Sequence, residues 1–167
     1  MTTIRPAFES WPTVNRSLRE AVAGMTTEQL AFQPAEDRWP LWASIGHAAC
    51  QRVFWLCDFA GAPGADATPF PDAGRSCPGD EDLEHVLDGA QLADGLDATF
   101  RIIEWCLDSW PAESLGELIS HTEWGEHDRR HARGWALTRV WGHDLWHIAE
   151  LNEALPKLGL PLVDPWG

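Results

Sequence analysis

Two histidine pairs in the sequence have the spacing of metal ligands. Residues 143–147 read HDLWH, and residues 127–131 read HDRRH. On a helix, positions four apart share a face, so each pair could turn both imidazoles toward one ion. Neutral imidazole is the commonest metal-binding side chain, and two on one helix suit a zinc-type site. The bland alternative for either pair is an ordinary helix face or a solvated turn.

Their neighbours separate the two copies. Arg129, Arg130 and Arg133 crowd the first, and guanidinium charges oppose a divalent cation. That segment also lacks an apolar stripe, so a solvated loop or turn is expected there. The second copy sits in VWGHDLWHIAELNEAL. At helical spacing His143, His147 and Glu150 fall within about 60° of arc, alongside Ala136, Val140, Leu151 and Ala154. Glu150 is the candidate catalytic residue. It stands one turn from His147 and can accept that ring's remaining N–H or relay a proton. Its alternative is a plain surface carboxylate. Asp144 points off this face and is expected to meet solvent. A zincin needs Glu after the first His, where this chain has Asp144. A di-iron carboxylate bundle needs two Glu-x-x-His pairs, which the chain lacks.

A third ligand must come from another element. His47, Gln51 and Asp58 lie on one side of a largely apolar helix, and on periodicity alone they read better as its wet edge. Cys50 is a rival ligand, although a small buried thiol is its commoner role. His85 and His121 have no partner at ligand spacing.

The elements that must position these residues are helical. SWPTVNRSLREAVAGMT reads as a first helix, with Ser10 as cap, Pro12 in the first turn and Val14, Leu18, Val22 and Met25 as its stripe. TTEQLAF offers a capped single turn. A second helix is expected over about 41–60, apolar nearly all round. Residues 61–80, with four Gly and four Pro, exclude a regular element and are long for a bundle connection. A third helix is expected over 81–110, ended by Pro111. Residues 111–133 are the least legible, with a short strand possible in ELISHTEW. The fourth helix spans about Gly134–Leu155, before an irregular tail. This pattern predicts an all-α fold: one domain over 1–167, a four-helix bundle with a long crossover between helices 2 and 3.

Composition limits the partners. The net charge is −14, and no basic run offsets it, so neither nucleic acid nor an anionic membrane is an expected partner. The first residues hold no apolar run of signal-peptide length, and no segment is long and apolar enough for a membrane span. Cys50, Cys57, Cys77 and Cys106 form no C-x-x-C pair and read as reduced thiols of a cytoplasmic protein. Eleven Trp and no Tyr imply a Trp-heavy core, with some rings free to wall a pocket.

One His early in the second helix followed by a His-x-x-x-His pair in the last resembles the DinB/YfiT-like superfamily of metal-dependent enzymes. SLREAVAGMTTEQLAFQP, WASIGHAACQRVFWL and GWALTRVWGHDLWHIAELNEALPKLGLP carry the likeness, which covers most of the chain. Ala149 stands where the family commonly has Gly, and Glu150 is kept. The resemblance implies that His47, His143 and His147 form a metal triad in a bundle with a long crossover, and that the chain is a homodimer. It also implies thiol chemistry, because characterised relatives are thiol-dependent S-transferases and an isomerase.

Three His ligands leave an open position on a divalent ion, with zinc or nickel expected first. The expected function is transfer of a small-molecule thiol to an electrophile. The alternatives are a metal-dependent hydrolase and a non-catalytic binding module.

Overall fold

The computed structural model describes residues 3–121 and 129–166. Four long helices form the bundle. Helix α1 is Trp11–Ala23 and α2 is a single turn, Thr27–Leu30. Helix α3 is Leu41–Val53, α4 is Gly89–Ser109, and α5 is Arg133–Ala154. Helix α4 packs on α1 and α3, and α3 packs on α5. Trp11, fully buried, closes the ring by meeting Trp141 of α5 and Phe100 of α4.

Local chemistry explains most boundaries. Pro12 sits in the first turn of α1, and the stripe Val14, Leu18 and Val22 is buried as expected. Ser10 makes no side-chain capping bond, against expectation. Helix α2 has a reciprocal capping box between Thr26 and Gln29. Helix α3 does not run on as an α-helix to residue 60. It opens into a π-helical stretch, Phe54–Phe59, in which Ala60 N–H reaches back five residues to Trp55 O.

The crossover is longer than the Gly/Pro segment. Residues 81–88 are not helical, which corrects the expected start of the third helix. Asp82 takes the backbone N–H groups of Glu84 and His85 on its own side chain, and such bonds compete with helix formation. Asp88 then caps α4 through a box with Gln91.

Strand β1, Leu118–His121, falls inside ELISHTEW. It pairs antiparallel with β2, Arg129–Ala132, with Leu118 opposite Ala132. In the HDRRH copy, His127 lies outside the described residues. His131 is not in a solvated turn. It lies on β2 and stacks on Trp135 with ring centroids 3.7 Å apart.

The bundle is tied by a buried polar network. Arg52 of α3 grips Asp144 of α5 with two bonds, Nε to Oδ1 at 3.1 Å and Nη2 to Oδ2 at 3.0 Å. Its Nη1 donates to Asn15 of α1 and to Leu96 O and Thr99 Oγ1 of α4. Trp11 Nε1 donates to Asp144 Oδ2 at 2.8 Å. Asp144 is therefore fully buried, which corrects its expected solvent role. Periodicity placed it off the histidine face correctly, but that second face enters the core.

Removing one partner of a buried pair leaves an uncompensated charge and costs about 3–5 kcal/mol. Asp144→Asn should lower the unfolding free energy by that order in urea titrations. An Arg52→Met/Asp144→Leu double variant should recover part of the loss. A cost below ~1 kcal/mol for the single change would show that the network does not hold the helices together.

Candidate metal centre

The structure brings His47, His143 and His147 together. Each offers one ring nitrogen, and these nitrogens all lie within 4.8 Å of one another. His143 Nε2 and His147 Nε2 are 3.2 Å apart. Two nitrogens bound at zinc distances to a tetrahedral ion would be about 3.3 Å apart. His47 and His147 are buried, and His143 is half-buried.

Neighbouring groups set the tautomers. His47 Nδ1 lies 3.2 Å from Pro78 O, which can only accept, and 3.4 Å from Asp80 Oδ2. His147 Nδ1 lies 2.9 Å from Glu150 Oε2. That contact is short but off hydrogen-bond angle, which leaves a buried nitrogen without a well-formed bond. Beside acceptors, both Nδ1 atoms carry the proton, so both Nε2 atoms present bare lone pairs.

All three rings are held neutral. Burial lowers the pKa of His47, with Asp80 opposing it. Burial, then the charge of His47, lowers that of His147 against the pull of Glu150. His143 is pushed down to about 2 by burial first, then by His147, His47 and Arg139. Three neutral, converging imidazoles suit a divalent cation and fit little else so well.

A strap from the crossover holds His47. Cys50, one turn along α3, is disulfide-bonded to Cys77. This corrects the expectation of four reduced thiols: two cysteines far apart in sequence gave no pairing signal. The strap continues through Pro78, whose ring would touch a Cβ on Gly46 at 3.0 Å. Gly79 follows at φ +87°, and a Cβ there would lie 2.7 Å from the Trp39 ring, so a side chain fits neither the conformation nor the space. Trp39 in turn packs on His47, with ring centroids 5.0 Å apart. Gln51, read as part of a wet edge, is half-buried with its amide 3.7 Å from Cys77 Sγ. Asp58, the last residue of that edge, is exposed.

A cavity of about 640 Å³ opens beside the three rings, lined among others by Arg38, Trp39, Arg139, Trp146 and Glu150. Glu150 ties two of these parts together, with Oε2 at His147 and Oε1 at 2.5 Å from Arg38 Nη1. Trp39 and Trp146 wall the cavity, while Trp11, Trp42 and Trp110 belong to the core. Arg38, Trp39, Pro78, Asp80 and Arg139 were missed in the sequence. Only Arg139 carried a usable signal, because it lies four residues before His143 on the same helix.

The sequence and the fold match known proteins. A model of the DinB superfamily matches residues 13–151. The chain belongs to that superfamily. A DinB-like protein from Bacillus cereus ATCC 10987 has a similar fold, with a TM-score of 0.70 at 17% identity over 96% of this chain and 95% of that one. A conserved protein from Enterococcus faecalis gives 0.68 at 17%, over 95% and 99%. No curated protein matches the sequence. Among the described residues, no helix is long and apolar enough to cross a membrane.

Protein reconstituted with zinc or nickel should hold about one ion per chain by elemental analysis. His143→Ala or His147→Ala should abolish this, and His131→Ala should not. Acid should act on the metal-free form through the same rings. Their folded pKa values lie below 6.5, so below that pH the unfolded chain binds more protons and stability falls. Above pH 6.5 this contribution is flat. His143→Ala should lose less stability than wild type between pH 6.5 and about 4; identical profiles would mean that His143 is not held neutral.

The disulfide is countable. Cys57 and Cys106 are unpaired, so denatured protein should titrate two thiols without reductant and four with it. Closing a loop with sequence separation 27 should stabilise the fold by about 3–4 kcal/mol, lost on reduction. Four thiols before reduction would refute the bridge.

Proposed function

We propose that this protein transfers a low-molecular-weight thiol to a small electrophile, using a divalent ion held by His47, His143 and His147. The observation that carries this reading is the neutral three-imidazole cluster opening onto a walled cavity. Bound there, zinc or nickel would supply a Lewis-acidic open position that favours the thiolate of a small thiol.

The chain's own residues do the rest. His47 and His147 are oriented by Pro78 O and Glu150 respectively. Glu150 faces the cavity and is placed to take the thiol proton, with Arg38 steadying its other oxygen. Trp39 and Trp146 flank the space where the electrophile would lie and limit water there. The sulfur then forms its bond to the electrophilic carbon. In a displacement the leaving group departs with the bonding pair; in an addition the carbanion regains a proton.

The nucleophilic sulfur has to come from outside. Burial, then Asp58, pushes the Cys57 thiol up to about 11, and burial raises Cys106 further. Neither is a ready thiolate at neutral pH. Hydrolysis at the same open position is the second reading, since a bound water would also be acidified. In line with the resemblance, we further propose that the protein works as a homodimer; the cytoplasmic location expected from four reduced thiols loses that support with the Cys50–Cys77 bridge.

The test is a screen of mycothiol, bacillithiol, glutathione and cysteine against a common electrophile, with and without metal. Turnover should need both metal and one thiol. Glu150→Gln should cut turnover by tenfold or more, in the range of general-base loss, while keeping most of the metal. Equal loss of metal and turnover would limit Glu150 to holding His147. Failure of every thiol with metal bound would remove the transferase reading and leave hydrolysis in front.

A further inference from the structure

The cavity holds one cation whose role the site chemistry leaves unexplained. Arg139 lines it four residues before His143 on α5, so its side chain leaves the helix one turn from the ligand face. It is exposed, and it forms no ion pair among the described residues. Its guanidinium carbon lies 5.7 Å from the centre of the Trp55 ring. A contact with a ring face uses none of the guanidinium N–H donors, which meet no carboxylate among the described residues. Arg38, the other arginine of the cavity, is already taken by Glu150.

The setting makes this unusual. Acidic residues outnumber Lys and Arg by 26 to 12, and that field repels anions from most of the surface. Arg139 and all three rings line the same cavity. An unpaired guanidinium beside a divalent-ion site makes a local positive field on an acidic molecule. A planar fork of donors lining the same cavity as the ligand cluster suits a carboxylate on a ligand whose other end is at the ion.

We propose that Arg139 is the anion-recognition residue of the cavity, and that the natural ligand carries a carboxylate near its metal-directed group. This rests on the function proposed above in placing that ligand at the ion. Arg139 holds and orients the ligand and takes no part in bond making.

The experiment uses cobalt-loaded protein and two matched pairs of probes. One pair carries a thiol, 3-mercaptopropionate and its neutral amide 3-mercaptopropanamide, followed by the sulfur-to-cobalt absorption band. The other carries none, succinate and succinamide, followed by calorimetry. In wild type each acid should bind at least tenfold more tightly than its amide, as a charge-assisted pair implies. Arg139→Gln should abolish the preference with cobalt content and helicity unchanged, and Arg139→Lys should keep part of it. Equal affinities within each pair, or a preference that survives in Arg139→Gln, would overturn the proposal. The arms also separate the two ideas. If neither thiol binds but succinate does so through Arg139, the anion site stands and the thiol reading falls. If the thiols bind without regard to charge and succinate does not bind, the thiol reading stands and the anion site falls.

Discussion

The grip of Arg52 on Asp144 is the constraint on which the site depends. One guanidinium and one carboxylate, both removed from water, reach donors or acceptors on all four long helices. Buried charges are tolerated only when nearly every lone pair and N–H is answered. An axial slip of α5 by one residue would strand both charges. The same register sets His143, the neighbour of Asp144, and His147 one turn beyond. The core pair thus places the ligand pair, while His47, five residues before Arg52 on α3, comes into position from the other side.

The site adds a second layer of definition. His47 is fixed on its outer nitrogen by Pro78 O, covered by Trp39, and backed by a strap that the disulfide fastens. His147 is fixed by Glu150, which is itself fixed by Arg38. Burial keeps the rings uncharged, so no proton has to be expelled at neutral pH before an ion enters. The cost of holding three neutral imidazoles in a buried cluster falls on the metal-free protein at low pH.

Much of this was legible in the residues. The His143–His147 pair stood out because its flanks were apolar, whereas HDRRH was surrounded by arginine. Helix α1, the single turn α2, the strand within ELISHTEW and the long crossover followed from capping, stripe and Gly/Pro signals. The choice of His47 rested on family resemblance, since periodicity alone favoured a wet edge. Asp144 was misread because a carboxylate invites a solvent role unless its guanidinium partner is known, and Arg52 lies 92 positions away. The Cys50–Cys77 bridge and the Pro78 and Asp80 contacts to His47 are long-range facts with no local pattern. The late start of α4 was hidden by helix-friendly residues at 81–88, whose backbone Asp82 captures instead.

The strap has a thermodynamic consequence of its own. The disulfide and an ion bound at the cluster would act on the same piece of chain, one by fastening residue 77 to α3 and the other through the imidazole that Pro78 orients. Their free energies are then coupled, and such coupling is reciprocal. Whatever ordering the bridge lends to His47 lowers the entropy still to be lost when an ion arrives. By the same amount an ion already in place opposes opening of the bridge, so loaded and empty molecules differ in how readily a reductant opens Cys50–Cys77.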